Sequence, residues 1–198
     1  MGRLVFIMGK SASGKDSIFR ELLSRRELGL SRVVPYTTRP VRDGEENGRE
    51  YFFVDEDTFR QMRFRGQVIE SRTYQTVYGP WRYFTADDGQ INLERGSSIL
   101  IGTLESYLSV RDYFGADNIV PVYVEVEDGL RLQRALDRER RQNVPRYSEL
   151  CRRYLADEKD FSEEKLKEAG IVRRYDNKDL RQCCDTIAGD IRIEERRE

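Results

Sequence analysis

Seven consecutive residues, Gly9-Lys10-Ser11-Ala12-Ser13-Gly14-Lys15, fit the pattern G-x-x-x-x-G-K, a loop that wraps an anion. Two glycines and three small residues let the chain approach a ligand closely, so that backbone N–H groups and the start of the next helix point at phosphate oxygens. Lys15 then supplies a point charge for the β- and γ-phosphates of a nucleoside triphosphate. The loop stands directly after a buried-strand pattern and directly before a helical one, which is the context this chemistry needs; a glycine turn without a ligand is the plainer reading. Asp16 occupies the position after the lysine, where Ser or Thr normally holds Mg²⁺, and Ser17 follows. Ser17 is expected to contact an ATP phosphate and Asp16 to face the Mg²⁺ shell, directly or through water. Otherwise Asp16 is an acid favoured by the helix dipole.

A second group lies within residues 36–54. Arg39 and Arg42 are three apart, Glu45 follows Gly44, and Tyr51 offers a hydroxyl. Such a set can hold a dianionic monophosphate by charge-assisted hydrogen bonds. In the plainer reading Arg39 and Arg42 pair with Glu45 and Glu46. A third group is a run of arginines, Arg131, Arg134, Arg138, Arg140 and Arg141 before Pro145, and Arg152 and Arg153 after it. Phosphoryl transfer asks for alignment, water exclusion and cations around the developing charge, and arginine supplies the cations. Taken singly, each of these arginines also suits a solvated helix face.

These groups need elements to position them. Leu4-Val5-Phe6-Ile7-Met8 reads as a strand buried on both faces. Ile18, Leu22 and Leu23 recur at helical spacing over 16–26, with Phe19 on the same stripe. Val33-Val34 begins a second strand that Pro35 interrupts. Residues 98–101 and 119–126 read as further buried strands, alternating with helices over 104–113 and 130–140. The alternation predicts an α/β fold with a central parallel sheet. Residues 37–96 break the rhythm and read as an inserted lobe of mixed strand and helix, with short runs at 51–54 and 67–74. Residues 138–146 are dense in charge, lack apolar periodicity and end near a proline, which suggests a mobile connection or lid, extended here to 138–153. A helix over 147–161, a strand near 171–175 and a final helix from 180 complete the chain. The sequence-level division is a core of 1–36 and 97–198 around a lobe of 37–96.

Composition removes several function classes. Charged residues are 36% of the 198, but 35 Lys and Arg nearly cancel 36 Asp and Glu, so no basic excess points to nucleic acid. With no histidine in the chain, a histidine base or histidine-ligated metal is excluded. Cys151, Cys183 and Cys184 form neither a disulfide framework nor a metal-ligand spacing. The first apolar run is too short for a signal-peptide core or a bilayer span. The expectations are a cytoplasmic location, small-molecule nucleotides as partners, no nucleic acid, no membrane, and a monomer or homodimer.

The stretch Thr37-Thr38-Arg39-Pro40-Val41-Arg42-Asp43-Gly44-Glu45-Glu46-Asn47-Gly48-Arg49-Glu50-Tyr51-Phe52-Phe53 closely resembles the guanylate kinase signature T-T-R-x-x-R-x-G-E-x-x-G-x-x-Y-x-F. The resemblance implies a P-loop three-layer fold with an arginine-rich lid, and transfer of the γ-phosphoryl group of ATP to GMP or dGMP with Mg²⁺. It implies that Arg39, Arg42, Tyr51 and Tyr78 hold the acceptor phosphate in an acceptor site that includes Glu45, and that Glu70, in Val68-Ile69-Glu70, accepts from N1–H and the exocyclic amine of guanine. Thr103 would offer the base a hydroxyl. The ATP site would comprise Gly9, Ser11, Ala12, Ser13, Gly14, Lys15, Asp16 and Ser17, with Asn177 near the adenine; Lys15, Arg134, Arg141 and Arg153 would act in catalysis. Three positions depart from the family pattern. Pro35 replaces a serine, Pro80 replaces a hydroxyl residue after Tyr-Gly, and Leu100-Ile101-Gly102-Thr103 replaces L-D-x-D. These departures keep open a kinase for another nucleotide monophosphate or small acceptor, and a non-catalytic interaction module of the same fold.

Overall fold

The five apolar residues after Arg3 form strand β1 (Leu4–Met8), every one of them buried, at the centre of a computed structural model that describes residues 1–42, 44–76 and 79–195. The strand is flanked on one side by β7 (Ser98–Ile101) and on the other by β8 (Ile119–Glu125), both parallel to it. Short edge strands β2 (Ser31–Arg32) and β9 (Arg174–Asp176) complete a parallel sheet in the order β2-β7-β1-β8-β9. Alternate side chains of β1 enter two separate cores, as the period of a strand demands. Leu4, Phe6 and Met8 pack with Leu100, Leu104, Tyr107, Val110 and Phe161 on one face. Val5 and Ile7 pack with Ile18, Leu22, Val122, Val124 and Ile187 on the other. Helix α1 (Lys15–Ser24) and the last helix, α7 (Leu180–Glu195), cover the second face, and α3 (Leu104–Phe114) covers the first. Each large apolar side chain so buried contributes about 1.5–3 kcal/mol, which anchors β1 in the core and with it the start of the loop that follows.

The lobe is a second sheet in the order β4-β3-β6-β5, formed by β3 (Tyr36–Thr37), β4 (Phe52–Phe53), β5 (Val68–Thr76) and β6 (Gly79–Ala86). Helix α2 (Glu56–Phe64) packs on it through Phe59 and Met62, against Phe84 and Ala86. Its N-terminus is capped by the Asp55 carboxylate, which accepts from the Thr58 N–H at 2.7 Å. Ile91 and Leu93 belong to the main core, so the chain from Ile91 onward packs with the body.

Two expectations are corrected. Val33 and Val34 are buried but lie between strands: β2 pairs in the main sheet and β3 in the lobe sheet, and Pro35 sits at the crossing. The strand expected near 171–175 is displaced to Arg174–Asp176, because a helix α6 (Glu163–Glu168) ends there and the Ile171 N–H is spent on Leu166. The charged segment 138–146 comprises the end of one helix and the turn that leads to the next. Helix α4 (Asp128–Arg140) and helix α5 (Tyr147–Asp160) enclose a six-residue turn. Glu139, 2% exposed, ties that turn down by accepting from the Arg146 N–H and the Gln142 amide.

All three cysteines are free. Burial pushes the Cys183 thiol up to about 12 and the Cys184 thiol up to about 11, which suits packing and not nucleophilic chemistry. Among the described residues no helix is long and apolar enough to cross a membrane.

Candidate active site

The loop after β1 is shaped by its glycines. A Cβ at Gly9 would lie 2.3 Å from the Val124 carbonyl oxygen, and one at Gly14 would lie 2.2 Å from the Asn177 amide nitrogen. Gly14 also has φ +88°, in the left-handed region open to glycine, and Ala12 adopts φ 63°. Gly14 is the N-cap of α1, and no side chain caps that helix. The first-turn N–H groups therefore have no protein side chain on them and face outward as an anion site. Lys15 stands at this turn with its ammonium 3.8 Å from the Asp16 carboxylate; its side chain is 20% exposed and that of Asp16 75%.

Asn177, expected near an adenine, lies beneath the loop. Only 3% exposed, it donates its side-chain amide to the Ser13 carbonyl at 2.8 Å, and its own carbonyl accepts from Arg134 at 3.0 Å. Asn177 thus braces the phosphate loop and carries Arg134 to it. The Ser13 hydroxyl and the Asn177 side-chain oxygen have no hydrogen-bond partner among the described residues.

The lid helices meet the rim of the same loop. Lys10 donates to Glu158 at 2.8 Å, and the Ser11 N–H donates to Asp157 at 2.7 Å. Arg131, 1% exposed, bridges Asp128, Asp157 and Glu158 and stands 4.0 Å from the Tyr154 ring centre. This arginine is a fixed strut, although it belongs to the run in which the sequence suggests a lid. Arg134 is half-buried beside Gly14. Arg153 is partly exposed; its Nε has no hydrogen bond among the described residues and makes a long ion-pair contact to Glu149 at 3.7 Å. Arg141 is exposed at the C-terminal end of α4. Arg152 is engaged by Glu149 at 2.7 and 2.8 Å.

In the lobe, both readings of Arg39 meet a physical test. Arg39 is 3% exposed and forms a bidentate pair with Glu45 at 2.9 Å on each nitrogen. It also donates to the Tyr83 hydroxyl at 3.1 Å and the Pro40 carbonyl at 2.8 Å, over the faces of Tyr51 and Phe53. The pairing with Glu45 is real, but it is buried and not a surface contact. Glu46 pairs instead with Arg49 at 3.0 Å. Arg42 is exposed, and its guanidinium has no hydrogen bond or ion pair among the described residues. Tyr78 lies outside the described residues. Tyr51 packs edge-on to Tyr83 at 5.5 Å; burial raises its hydroxyl above the ordinary tyrosine range, so it remains a donor at neutral pH. The charges of Arg72, Arg39 and Asp16 all act on that hydroxyl. The lobe meets the body where Arg72 donates to Thr103, beside Gly102, whose N–H bonds to Ile7 of β1, so the phosphate loop and the lobe share one cleft.

The Arg39 guanidinium holds the Glu45 carboxyl below the usual carboxylate range, burial working against it. A depressed folded-state value means that the stabilisation is present above the unfolded value of about 4 and is lost as pH falls through the folded one. Thermal midpoints of wild type and Glu45→Gln should therefore differ clearly at pH 7 and converge as pH drops below 4. A gap that stays constant with pH would show that the pair contributes through shape alone.

Glu70, open in the sequence to a solvent-facing reading, is 7% exposed. It accepts from Thr85 at 2.8 Å and from Arg72 at 3.1 and 3.3 Å. Arg72 also reaches across to the body, donating to the Thr103 hydroxyl at 3.1 Å. Thr103 is at the same time the N-cap of α3, in a reciprocal capping box with Ser106. The strand end before it is tightly filled: a Cβ at Gly102 would stand 2.5 Å from the Ser106 hydroxyl and 2.6 Å from the Phe6 ring. Arg72, Thr85, Tyr83, Asp157 and Glu158 had no signal in the sequence, since each gains its meaning from a partner on another element.

A phosphate loop sharing a cleft with a lobe of arginines and a tyrosine is the arrangement of a P-loop nucleotide kinase, in which two phosphate-bearing ligands meet. Comparison with known proteins narrows the class. The family model of guanylate kinase matches residues 1–82. The guanylate kinase of Wolbachia pipientis wMel is 32% identical over 167 residues, covering 81% of this chain and 77% of that protein. That of Nitrosomonas europaea is 42% identical over 83 residues, and there the alignment spans only 41% of this chain and 41% of its relative. The crystal structure of guanylate kinase from Anaplasma phagocytophilum shares the fold, with a TM-score of 0.67, 20% identity, and coverage of 99% of this chain and 87% of that one. This chain belongs to the guanylate kinase family, ATP-dependent nucleoside monophosphate kinases.

Proposed function

We propose that this protein transfers the γ-phosphoryl group of ATP to GMP or dGMP. The observation that carries the reading is the join between lobe and body: Arg72 of the lobe donates to Thr103, beside Gly102, whose N–H bonds to Ile7 of the strand that ends in the phosphate loop. Donor and acceptor phosphates bound on that loop and in the lobe would face each other. An acceptor phosphate oxygen attacks the γ-phosphorus while the bond to the β–γ bridging oxygen breaks, giving ADP and GDP.

ATP docks on Gly9, Ser11, Ala12, Ser13, Gly14, Lys15, Asp16 and Ser17. Any use of the Ser11 N–H by ATP first requires the Asp157 carboxylate to withdraw. Asp16 is the residue that would hold Mg²⁺, directly or through water, while Ser17 would contact an ATP phosphate; an exposed carboxylate with one long contact fits an ion that keeps several waters. That ion supplies charge neutralisation across the β- and γ-phosphates. Arg42 and Tyr51 hold the acceptor phosphate, Arg39 and Glu45 set their platform, and Arg134, Arg153 and Arg141 provide cations from the lid side. Free cysteines, two of them buried, support a cytoplasmic setting, and the partners are small nucleotides with the protein acting as monomer or homodimer.

A second reading, another monophosphate as acceptor, is favoured by the Glu70 carboxylate being already paired with Arg72. The test is Mg²⁺- and ATP-dependent ADP production with GMP, dGMP, AMP, CMP, UMP and no acceptor. Selective turnover of GMP or dGMP supports the proposal, selectivity for another acceptor supports the second reading, and silence across the panel points to a binding module.

A further inference from the structure

Arg72 and Glu70 form a pair in which the carboxylate side chain is 3% exposed and the arginine side chain 15%. The lone-pair count on Glu70 is nearly complete. One oxygen accepts from Thr85 and from the Arg72 Nη2, the other from the Arg72 Nε. A carboxylate offers about four lone-pair sites, so only one further donor can be accepted. Guanine recognition through N1–H and the exocyclic amine together would need two. The arginine is in the opposite position: of its five N–H donors, Nε and one each on Nη1 and Nη2 are taken, by Glu70 and Thr103. Among the described residues one donor on each of Nη1 and Nη2 remains, and this fork matches the O6 and N7 acceptors of a 6-oxopurine, a pairing arginine makes to guanine elsewhere.

We propose that Arg72 is the specificity-determining residue of the acceptor site, reading O6 and N7 of a 6-oxopurine while Glu70 accepts only N1–H; this rests on the kinase reading above. The exocyclic amine of guanine then contributes little, and the site takes the class of 6-oxopurine nucleoside monophosphates, GMP and IMP alike. Adenine is rejected because its 6-amino group presents a donor to the arginine fork.

The test compares kcat/KM of the wild type for GMP, IMP, 7-deaza-GMP, AMP and the 2-aminopurine ribonucleoside monophosphate, which keeps the amine and lacks the oxygen. IMP is expected within about tenfold of GMP, with 7-deaza-GMP, AMP and the 2-aminopurine compound lower by about 10- to 100-fold. Arg72→Ala should lose about the same factor on GMP and IMP and change little on the 2-aminopurine compound. Arg72→Lys, which keeps the charge near Glu70 but not the fork, should show the same selective loss if the alanine variant does not fold. Rejection of IMP by the wild type, a gain in GMP turnover on removing Arg72, or an equal loss on every acceptor would each overturn the assignment. No turnover of any purine monophosphate by the wild type would defeat the kinase reading as well, whereas GMP turnover with the wrong analogue pattern defeats this inference alone.

Discussion

Replacing Lys15 by methionine is expected to lower kcat by about 10²–10³-fold, the usual cost of removing one preorganised charge from a developing oxyanion. The side chain leaves the phosphate loop where α1 begins, at the one position from which a single ammonium reaches both phosphates on either side of the breaking bond. Its only ion pair among the described residues is a 3.8 Å contact to the well-exposed Asp16, so the substitution strands no buried charge and should not lower the thermal midpoint. Methionine keeps the length of the stem and removes the charge alone. The check is single-turnover transfer at saturating ATP and GMP, beside a thermal melt. Retained turnover in a folded variant would place the triphosphate somewhere other than this loop.

Arg134→Ala and Arg153→Ala are each expected to cost about 10³-fold in kcat, the lower end of the range for an arginine that stabilises a phosphoryl-transfer transition state. Arg134 is delivered to Gly14 by its hydrogen bond to the Asn177 carbonyl, which leaves most of its N–H donors for the transferring phosphate. Arg153 is held among the described residues only by a 3.7 Å ion-pair contact from its Nε to Glu149, so its reorientation toward a phosphate loses little. Because charge appears on the transferring group only during the reaction, KM for ATP and GMP should change much less than kcat. Lysine should not rescue either position, since a point charge does not reproduce the planar fork. Arg131→Ala is the contrast: Asp128, Asp157 and Glu158 would lose their shared cation, and the first effect should be a lower thermal midpoint. If Arg131→Ala and Arg134→Ala gave the same profile, Arg134 would be structural too.

Much of the architecture was legible because its signals are local. Strand β1 was readable from a five-residue apolar run, β7 from residues 98–101, and the loop between β1 and α1 from glycine spacing. Helices α3, α4 and α5 were readable from periodicity to within about the usual boundary uncertainty. Strand β6 was missed, since its Gly-Pro start carries little strand signal and the strand exists through its ladder to β5. Helix α6 was missed because six residues carry too little period, while Ser162 capping and the buried Leu166 hold it. The crossing at Pro35 was read as an interrupted strand, though its two sides belong to different sheets.

The sequence by itself determined the anion-binding loop, the lobe inserted into an α/β body, the arginine supply and the absence of histidine chemistry, because composition and spacing within a few residues are enough for those. Tertiary structure alone decided what each charge is used for. Arg39 and Glu45 were written as clamp or ion pair by the same spacing, and only burial beneath Tyr51 and Tyr83 makes them a platform. Asn177 became a brace because β9 ends beneath the phosphate loop, and Glu70 lost most of its free lone pairs to Arg72 and Thr85. A side chain's periodicity records which face it occupies, whereas the strength and use of a charge depend on the groups that replace its water, and those arrive from segments far away in the chain.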